Sequence, residues 1–244
     1  MAQVGTPGGR WEGVADATPH LETAQRTRTR RLFVAPEPAS GTRPVGGFYV
    51  GVLKPTLDRL FALGMLLVLS PVLAITALAL RATLGRGIIY RQQRVGRDGV
   101  PFTVLKFRTM QADRRQQRVE VPVDRRVTHK SMADPRHTRL GRVIRAAGID
   151  ELPQLVNVLR GEMSIVGPRP ELPTVVERYQ PWEHARHAVR PGITGLWQIR
   201  ERGRGAQMHE CVDIDLEYVE TIGFWTDLKI LAATPYHLLL CRGE

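Results

Sequence analysis

Residues 60–80 (LFALGMLLVLSPVLAITALAL) form a run of 21 without a single charge. About 20 apolar residues cross a bilayer as one helix, so this run dominates what the chain can become. Ser70-Pro71 sits at its middle, where proline removes a helix hydrogen bond and crowds the preceding turn. A serine hydroxyl can satisfy the freed backbone group, which predicts a bent helix rather than a broken one. Basic residues flank both ends, Lys54 and Arg59 before and Arg81, Arg86 and Arg91 after. Positive flanks prefer the cytoplasmic side. A helix whose two ends both want the cytoplasm is satisfied by entering the membrane, turning at Ser70-Pro71 and returning. An ordinary span and a buried core helix are the alternatives, the latter disfavoured by the lack of a polar face.

Around this run the chain divides into three parts. Residues 1–45 alternate TPGG, PEPAS and PVGG with the cluster Arg26, Arg28, Arg30 and Arg31, without apolar periodicity, and read as a flexible basic tail. Residues 46–85 hold the re-entrant helix. Residues 86–244 are left for the main folded domain. Within 81–145 there are 17 Lys and Arg against five Asp and Glu, a local +12 in a chain whose net charge is +11. The positive charge therefore lies directly after the membrane segment, facing anionic headgroups or a phosphorylated ligand. Nucleic acid is excluded as the expected partner by sparse aromatics and by the lack of a recognisable binding motif. Two cysteines, Cys211 and Cys241, give neither a disulfide framework nor a zinc site.

Residues 87–92 and 101–108 read as strands joined by the turn Gly96-Arg97-Asp98-Gly99, a β-hairpin. Alternation puts Lys106 and Arg108 on one face, so both cations can point at one ligand. Residues 111–136 read as a mobile polar loop. Residues 139–147 read as a helix with Leu140, Val143 and Ile144 inward.

The chemically loaded stretch is GIDELPQLVNVL, residues 148–159. Asp150 can cap a helix that accepts Pro153 in its first turn, with Leu152, Leu155, Val156 and Leu159 facing the core. A carboxylate at a helix N-terminus has its pKa depressed and stays ionised, and the adjacent Glu151 can take a divalent cation. On these residues alone a simple cap and a dipole-favoured acid account for the pair better, since Asp-Glu pairs are common at helix starts. Further on, Pro168 and Pro170 bracket Arg169 in a rigid turn that aims its guanidinium and opens a helix over 171–180. Residues 190–198 read as a turn into a short strand. His184 and His187 lie three apart but lack a third metal ligand. The apolar C-terminus, residues 224–240, suits a helix in the membrane interface or a docked core helix.

Seven segments occur together in one order: KPTLDR, Ser70-Pro71, RVGRDGVPFTVLKFRTM, DPRHTRLGRVIR, DELPQLVNVLRGEMSIVGPRPELP, RPGITGLWQI and FWTDLKIL. In this the chain resembles the bacterial sugar transferases, monotopic polyprenyl-phosphate phosphoglycosyl transferases, over about three quarters of its length. The resemblance implies an α+β catalytic domain, mainly helical, with a small β-hairpin and interfacial amphipathic helices on the cytoplasmic face of the cell membrane. It implies transfer of sugar 1-phosphate from a UDP-sugar to undecaprenyl phosphate, through a covalent aspartyl intermediate, with release of UMP. By position Asp150 becomes the nucleophile and Glu151 its partner carboxylate associated with Mg²⁺. Arg145, Arg169, Pro168 and Pro170 become phosphate or nucleotide contacts, with Lys106 and Arg108 as further candidates and Ser70 and Pro71 setting the membrane turn. Membrane lipids are expected partners, and homodimerisation or contact with glycosyltransferases of the pathway are further partner expectations. A catalytically inactive, lipid-binding scaffold is the reading from another functional class.

Overall fold

The computed structural model describes residues 47–111, 138–201 and 211–240, all within the unit Ala35–Glu244. The tail expected over 1–45 and the loop expected over 111–136 lie, save for one residue, outside them.

Helix α1 (Lys54–Val68) continues a π-helical turn, Tyr49–Leu53, and ends at Leu69. Helix α2 (Ser70–Leu84) starts at the next residue, and the two axes differ by 62°. The bend has a local cause. Pro71 has no N–H to donate to Leu67, and Ser70 Oγ takes the Leu67 carbonyl instead at 2.8 Å. No single described helix is long and apolar enough to cross a membrane. Of the uncharged run only Ala62, Thr76 and Leu80 are buried, while Leu67, Val68, Ile75 and Leu78 are each about 70% exposed. The run is therefore not a core helix, although one edge of each half packs on the domain.

Strands β1 (Ile89–Val95) and β2 (Pro101–Phe107) form the expected antiparallel hairpin, with Val95 opposite Pro101. Its 3₁₀ turn, Arg97–Gly99, holds Asp98 at φ 55°, a left-handed conformation that Asp tolerates. Helix α3 (Arg139–Ala146) is capped by Thr138, whose Oγ1 accepts from the Gly141 N–H at 2.9 Å. Ile144 is buried, but Val143 is 65% exposed, so the inward stripe is narrower than its apolar pattern implies. Gly148 at φ +68° ends this segment in the left-handed conformation, and the 3₁₀ turn Ile149–Glu151 follows, leading to the short helix α4 (Gln154–Leu159).

Strand β3 (Ser164–Val166) runs parallel to β4 (Gly192–Thr194), a pairing that alternation within either short segment does not reveal. Glycines explain how the two segments meet: a Cβ on Gly192 would stand 2.1 Å from Gly167 N, and one on Gly195 2.2 Å from Gly167 O. Helix α5 is a single turn, Pro173–Val176, rather than the helix expected over 171–180. A 3₁₀ segment, Pro181–Ala188, follows. The turn into a short strand expected over 190–198 is β4, but it ends at Thr194 and helix α6 (Leu196–Arg200) follows; Trp197 is buried in it as packing. Helices α7 (Val212–Thr221) and α8 (Phe224–Leu240) complete the described chain. The fold is thus mixed helix and strand, as expected, and mainly helical.

The main core joins α1 (Ala62), β2 (Phe102, Val104), α4 (Leu155, Val158), β3 and the last two helices (Tyr218, Ile230). A second cluster joins α2 (Leu80) to Phe107 and Ile144. A buried polar network ties α1 to α8. Asp227 accepts from Lys54 Nζ at 2.6 Å, Tyr49 OH at 2.6 Å and Tyr218 OH at 2.7 Å, while Asp58 accepts from Ser164 Oγ at 2.6 Å. KPTLDR and FWTDLKIL, 173 residues apart through Lys54 and Asp227, are therefore one structural unit.

Candidate active site

Three pieces of chain converge on Glu151. Strand β2 brings Lys106, whose Nζ stands 2.8 Å from Oε1. The proline-bracketed loop between β3 and α5 brings Arg169, which donates to Oε1 at 2.8 Å and to Oε2 at 3.4 Å. The 3₁₀ turn after α3 supplies Glu151 itself, with Asp150 beside it. Asn157 holds the first and third pieces in register. Fully buried, it accepts from the Leu105 N–H at 3.1 Å and donates to the Thr103 carbonyl at 2.7 Å. Its side-chain amide thus serves β2 as a neighbouring strand would, and it also donates to Glu162 Oε2 at 2.7 Å. A polar residue inside the run LVNVL was the sequence signal for this role.

The two adjacent carboxylates have opposite electrostatics. Burial pushes Glu151 up, but the Arg169 guanidinium and the Lys106 ammonium outweigh it and hold the carboxyl well below the usual range. Glu151 in turn raises Arg169, and burial lowers Lys106 against that same attraction. Burial, and next the neighbouring Glu151 charge, push Asp150 up to about 6, with Lys106 and Arg169 opposing. This reverses the depressed pKa expected for a helix cap. The physical reason is that Asp150 is not a cap: α4 begins behind Pro153, without any side-chain cap hydrogen bond, and Asp150 lies in the preceding 3₁₀ turn. The apolar stripe expected on α4 also differs. Leu155 and Val158 are buried with Gln154 and Asn157, while Leu152, Val156 and Leu159 are half-buried.

The other sequence candidates separate. Arg145 is half-buried in the last turn of α3, and its carbonyl accepts the Gly148 N–H at 3.0 Å. Pro168 and Pro170 are buried on either side of Arg169. Arg108 does not join Lys106 at Glu151; its guanidinium donates to the Leu84 carbonyl at the end of α2, 2.7 Å away. It lies beyond the last residue of β2, where strand alternation no longer fixes direction. Ser70 and Pro71 form the bend already described. The described residues contain no group of three or more His, Cys, Asp or Glu placed to hold a metal ion; His187 stacks on the Tyr179 ring and His184 meets it edge-on.

Two residues that sequence reading passed over stand behind the loop. Arg186, 2% exposed, pairs with Asp215 and donates to Tyr179 OH at 2.6 Å and to the Arg169 carbonyl at 2.7 Å. Arg94 donates to the Pro170 carbonyl at 3.2 Å. Pro168, Arg169, Pro170, Arg186 and His187 line a small cleft there.

Residues 49–240 match the family described as bacterial sugar transferase. The chain is 39% identical over 203 residues to a UDP-glucose:undecaprenyl-phosphate glucose-1-phosphate transferase of Caulobacter vibrioides, covering 80% of this chain and 73% of that relative. It is 36% identical over 231 residues to the exopolysaccharide production protein ExoY of Sinorhizobium fredii, covering 92% and 100%. With the Escherichia coli UDP-glucose:undecaprenyl-phosphate glucose-1-phosphate transferase it shares 40% over 192 residues, 76% of this chain but 40% of that longer protein.

Proposed function

We propose that this chain, which belongs to the bacterial sugar transferase family, moves sugar 1-phosphate from a UDP-sugar to undecaprenyl phosphate and so begins a lipid-linked exopolysaccharide. The supporting observation is the divergence of the two carboxylates. Where neighbouring environments push two titratable groups apart, they take different roles. Glu151 is locked as an ionised partner of Lys106 and Arg169. Asp150, at about 6, is mostly ionised at neutral pH yet more basic than an ordinary aspartate, which suits a nucleophile.

In the first step an Asp150 oxygen attacks the β-phosphorus of the UDP-sugar. The bond from that phosphorus to the bridging oxygen breaks, UMP leaves with the electron pair, and the phosphosugar stays on Asp150. In the second step an oxygen of undecaprenyl phosphate attacks the same phosphorus and the Asp150 carboxylate leaves. Arg169 and Lys106 supply the positive charge that phosphoryl transfer needs at its oxygens. Arg145, a turn before the carboxylates, is read as a further phosphate contact.

The hard carboxylate oxygens of Glu151 suit Mg²⁺, which favours one or two carboxylates together with substrate phosphates over a protein cage. That fits a site lacking three clustered acidic or imidazole ligands among the described residues. The ion, when bound, would screen repulsion between the carboxylates and the pyrophosphate.

The bent pair α1–α2 is read as a re-entrant hairpin, supported by its 62° bend and exposed apolar surface. Exposed Trp225, Leu228 and Tyr236 on α8 suit the same interface, with the domain 86–244 on the cytoplasmic face. Nucleotide release in nanodiscs, with undecaprenyl phosphate, Mg²⁺ and a panel of UDP-sugars, tests the function. UMP release that vanishes in Asp150→Asn supports it, and UDP release would mean ordinary glycosyl transfer.

A further inference from the structure

The loop that carries Arg169 is clamped through its carbonyls. Pro168 O accepts from the Gly192 N–H at 2.8 Å and Glu171 O from the Val95 N–H at 2.9 Å. Between them, Arg169 O accepts from Arg186 at 2.7 Å and Pro170 O from Arg94 at 3.2 Å. Four consecutive carbonyls are therefore each bonded, two of them to neighbouring residues of β1, and the middle two are held by arginine side chains.

The prolines already restrict this backbone. Each fixes its own φ, and Pro170 also limits the conformation of Arg169. What prolines do not fix is where the segment stands, and that is set by its acceptors. Arg186 has little freedom to move: it is buried, paired with the buried Asp215 and bonded to Tyr179 OH. Arg94 is anchored by Gln92 Oε1 at 2.8 Å and lies 3.8 Å from Glu171 Oε2. Burying an arginine is costly unless it is paired and fully bonded. Here two of them donate to adjacent backbone carbonyls, those of Arg169 and Pro170.

We infer that Arg186, backed by Asp215 and Tyr179, and Arg94 are positioning residues that fix where the Arg169 guanidinium meets Glu151. They hold the Arg169 backbone; Arg169 holds the carboxylate. This rests on the proposed role of Glu151 and Arg169 in phosphosugar transfer. Displacement of a catalytic group by about 1 Å can lower a rate roughly 100-fold.

The test uses the full chain in nanodiscs and two mild substitutions, Tyr179→Phe and Arg94→Gln, because Arg186→Ala risks unfolding the domain. Hydrogen–deuterium exchange reads the loop amides of Arg169, Glu171 and Leu172, and UMP release gives kcat and KM. We expect faster loop exchange in both variants, kcat reduced roughly 10- to 100-fold, a KM for the UDP-sugar within about threefold, and an unchanged Tm. Arg94→Lys, which keeps a donor for Pro170 O, should recover most of the rate. Unchanged loop exchange in both variants overturns the inference, as does a loosened loop with wild-type kcat. A wild-type protein that releases no UMP defeats the proposed function instead, and the exchange arm still decides whether the two arginines hold the loop.

Discussion

Glu151 and Arg169, 18 residues apart in the chain, meet through two hydrogen bonds, 2.8 Å to Oε1 and 3.4 Å to Oε2. Lys106 adds a third bond, also to Oε1. Two cations on one carboxylate make Glu151 the hinge of the site's charge balance. Glu151→Gln keeps the shape but leaves Lys106 and Arg169 with Asp150 as the nearby counter-charge in place of a hydrogen-bonded one. We expect UMP release to fall by roughly 100-fold or more. Stability should fall by about 1–3 kcal/mol, less than for a wholly buried pair because both cations are partly exposed. Lys106→Met leaves Arg169 in place and should cost about 100-fold in rate. A Glu151→Gln enzyme within threefold of wild type would remove Glu151 from the site.

Asp150 stores the opposite kind of energy. Its folded pKa of about 6 stands above the ordinary aspartate value of 3.8, so the folded protein holds this proton more tightly than the unfolded chain does. Its effect on stability is absent below about pH 4, grows as pH rises through 6, and is then constant and unfavourable. Asp150→Asn removes it. In EDTA the variant should be more stable than wild type by about 1–3 kcal/mol at pH 7 and equal to it near pH 4. Thermal unfolding across that range checks the sign; a variant less stable at pH 7 contradicts it. The same variant should release no UMP, and wild-type activity should decline on acidification as Asp150 takes up its proton.

The network around Asp227 makes a prediction about anchoring. Lys54 and Asp227 are both buried, and Asp227→Asn leaves the ammonium only the longer contact to Asp58, 3.7 Å away. Breaking a buried pair from one side costs about 3–5 kcal/mol. The Arg200–Glu217 pair, nearly half exposed on both sides, is the internal control: Glu217→Gln should cost less than about 1 kcal/mol. Comparable losses in the two variants would mean that the Lys54–Asp227 pair does not anchor α1.

Local signals made some of this structure legible and hid the rest. The hairpin was readable because alternation and a Gly-Arg-Asp-Gly turn are local properties. The bend at Ser70-Pro71 was readable because proline acts on its own helix. Asp150 was misjudged as a cap because helix α4 starts behind Pro153, one turn later than the Asp-Glu pair suggests. Arg108 was grouped with Lys106 by an alternation that ends at Phe107. The pairing of Arg186 with Asp215 was not legible, since 29 residues separate them and nothing in either segment marks the other. Pairings across the fold, including β3 with β4, depend on the assembled core. The motif order carried the family, while the clamp behind Arg169 required coordinates.

The bend itself can be tested as a topological device. Pro71 withholds an N–H from Leu67 O, and Ser70 Oγ takes that carbonyl at 2.8 Å. Replacing both, as Ser70→Ala with Pro71→Leu, restores an ordinary backbone donor and removes the competing hydroxyl. Helices α1 and α2 can then merge into one helix over 54–84, 31 residues. At 1.5 Å per residue that is about 46 Å, enough to cross a hydrocarbon core of about 30 Å. Starting from a variant with Cys211 and Cys241 replaced by serine, single cysteines are placed at Phe48 and at Arg86. In the wild-type background an impermeant maleimide should label both from the cytoplasmic side only. In the straightened variant the two should be labelled from opposite sides. Opposite-side labelling without the double substitution would show that the 62° bend does not return the chain to the face it entered from.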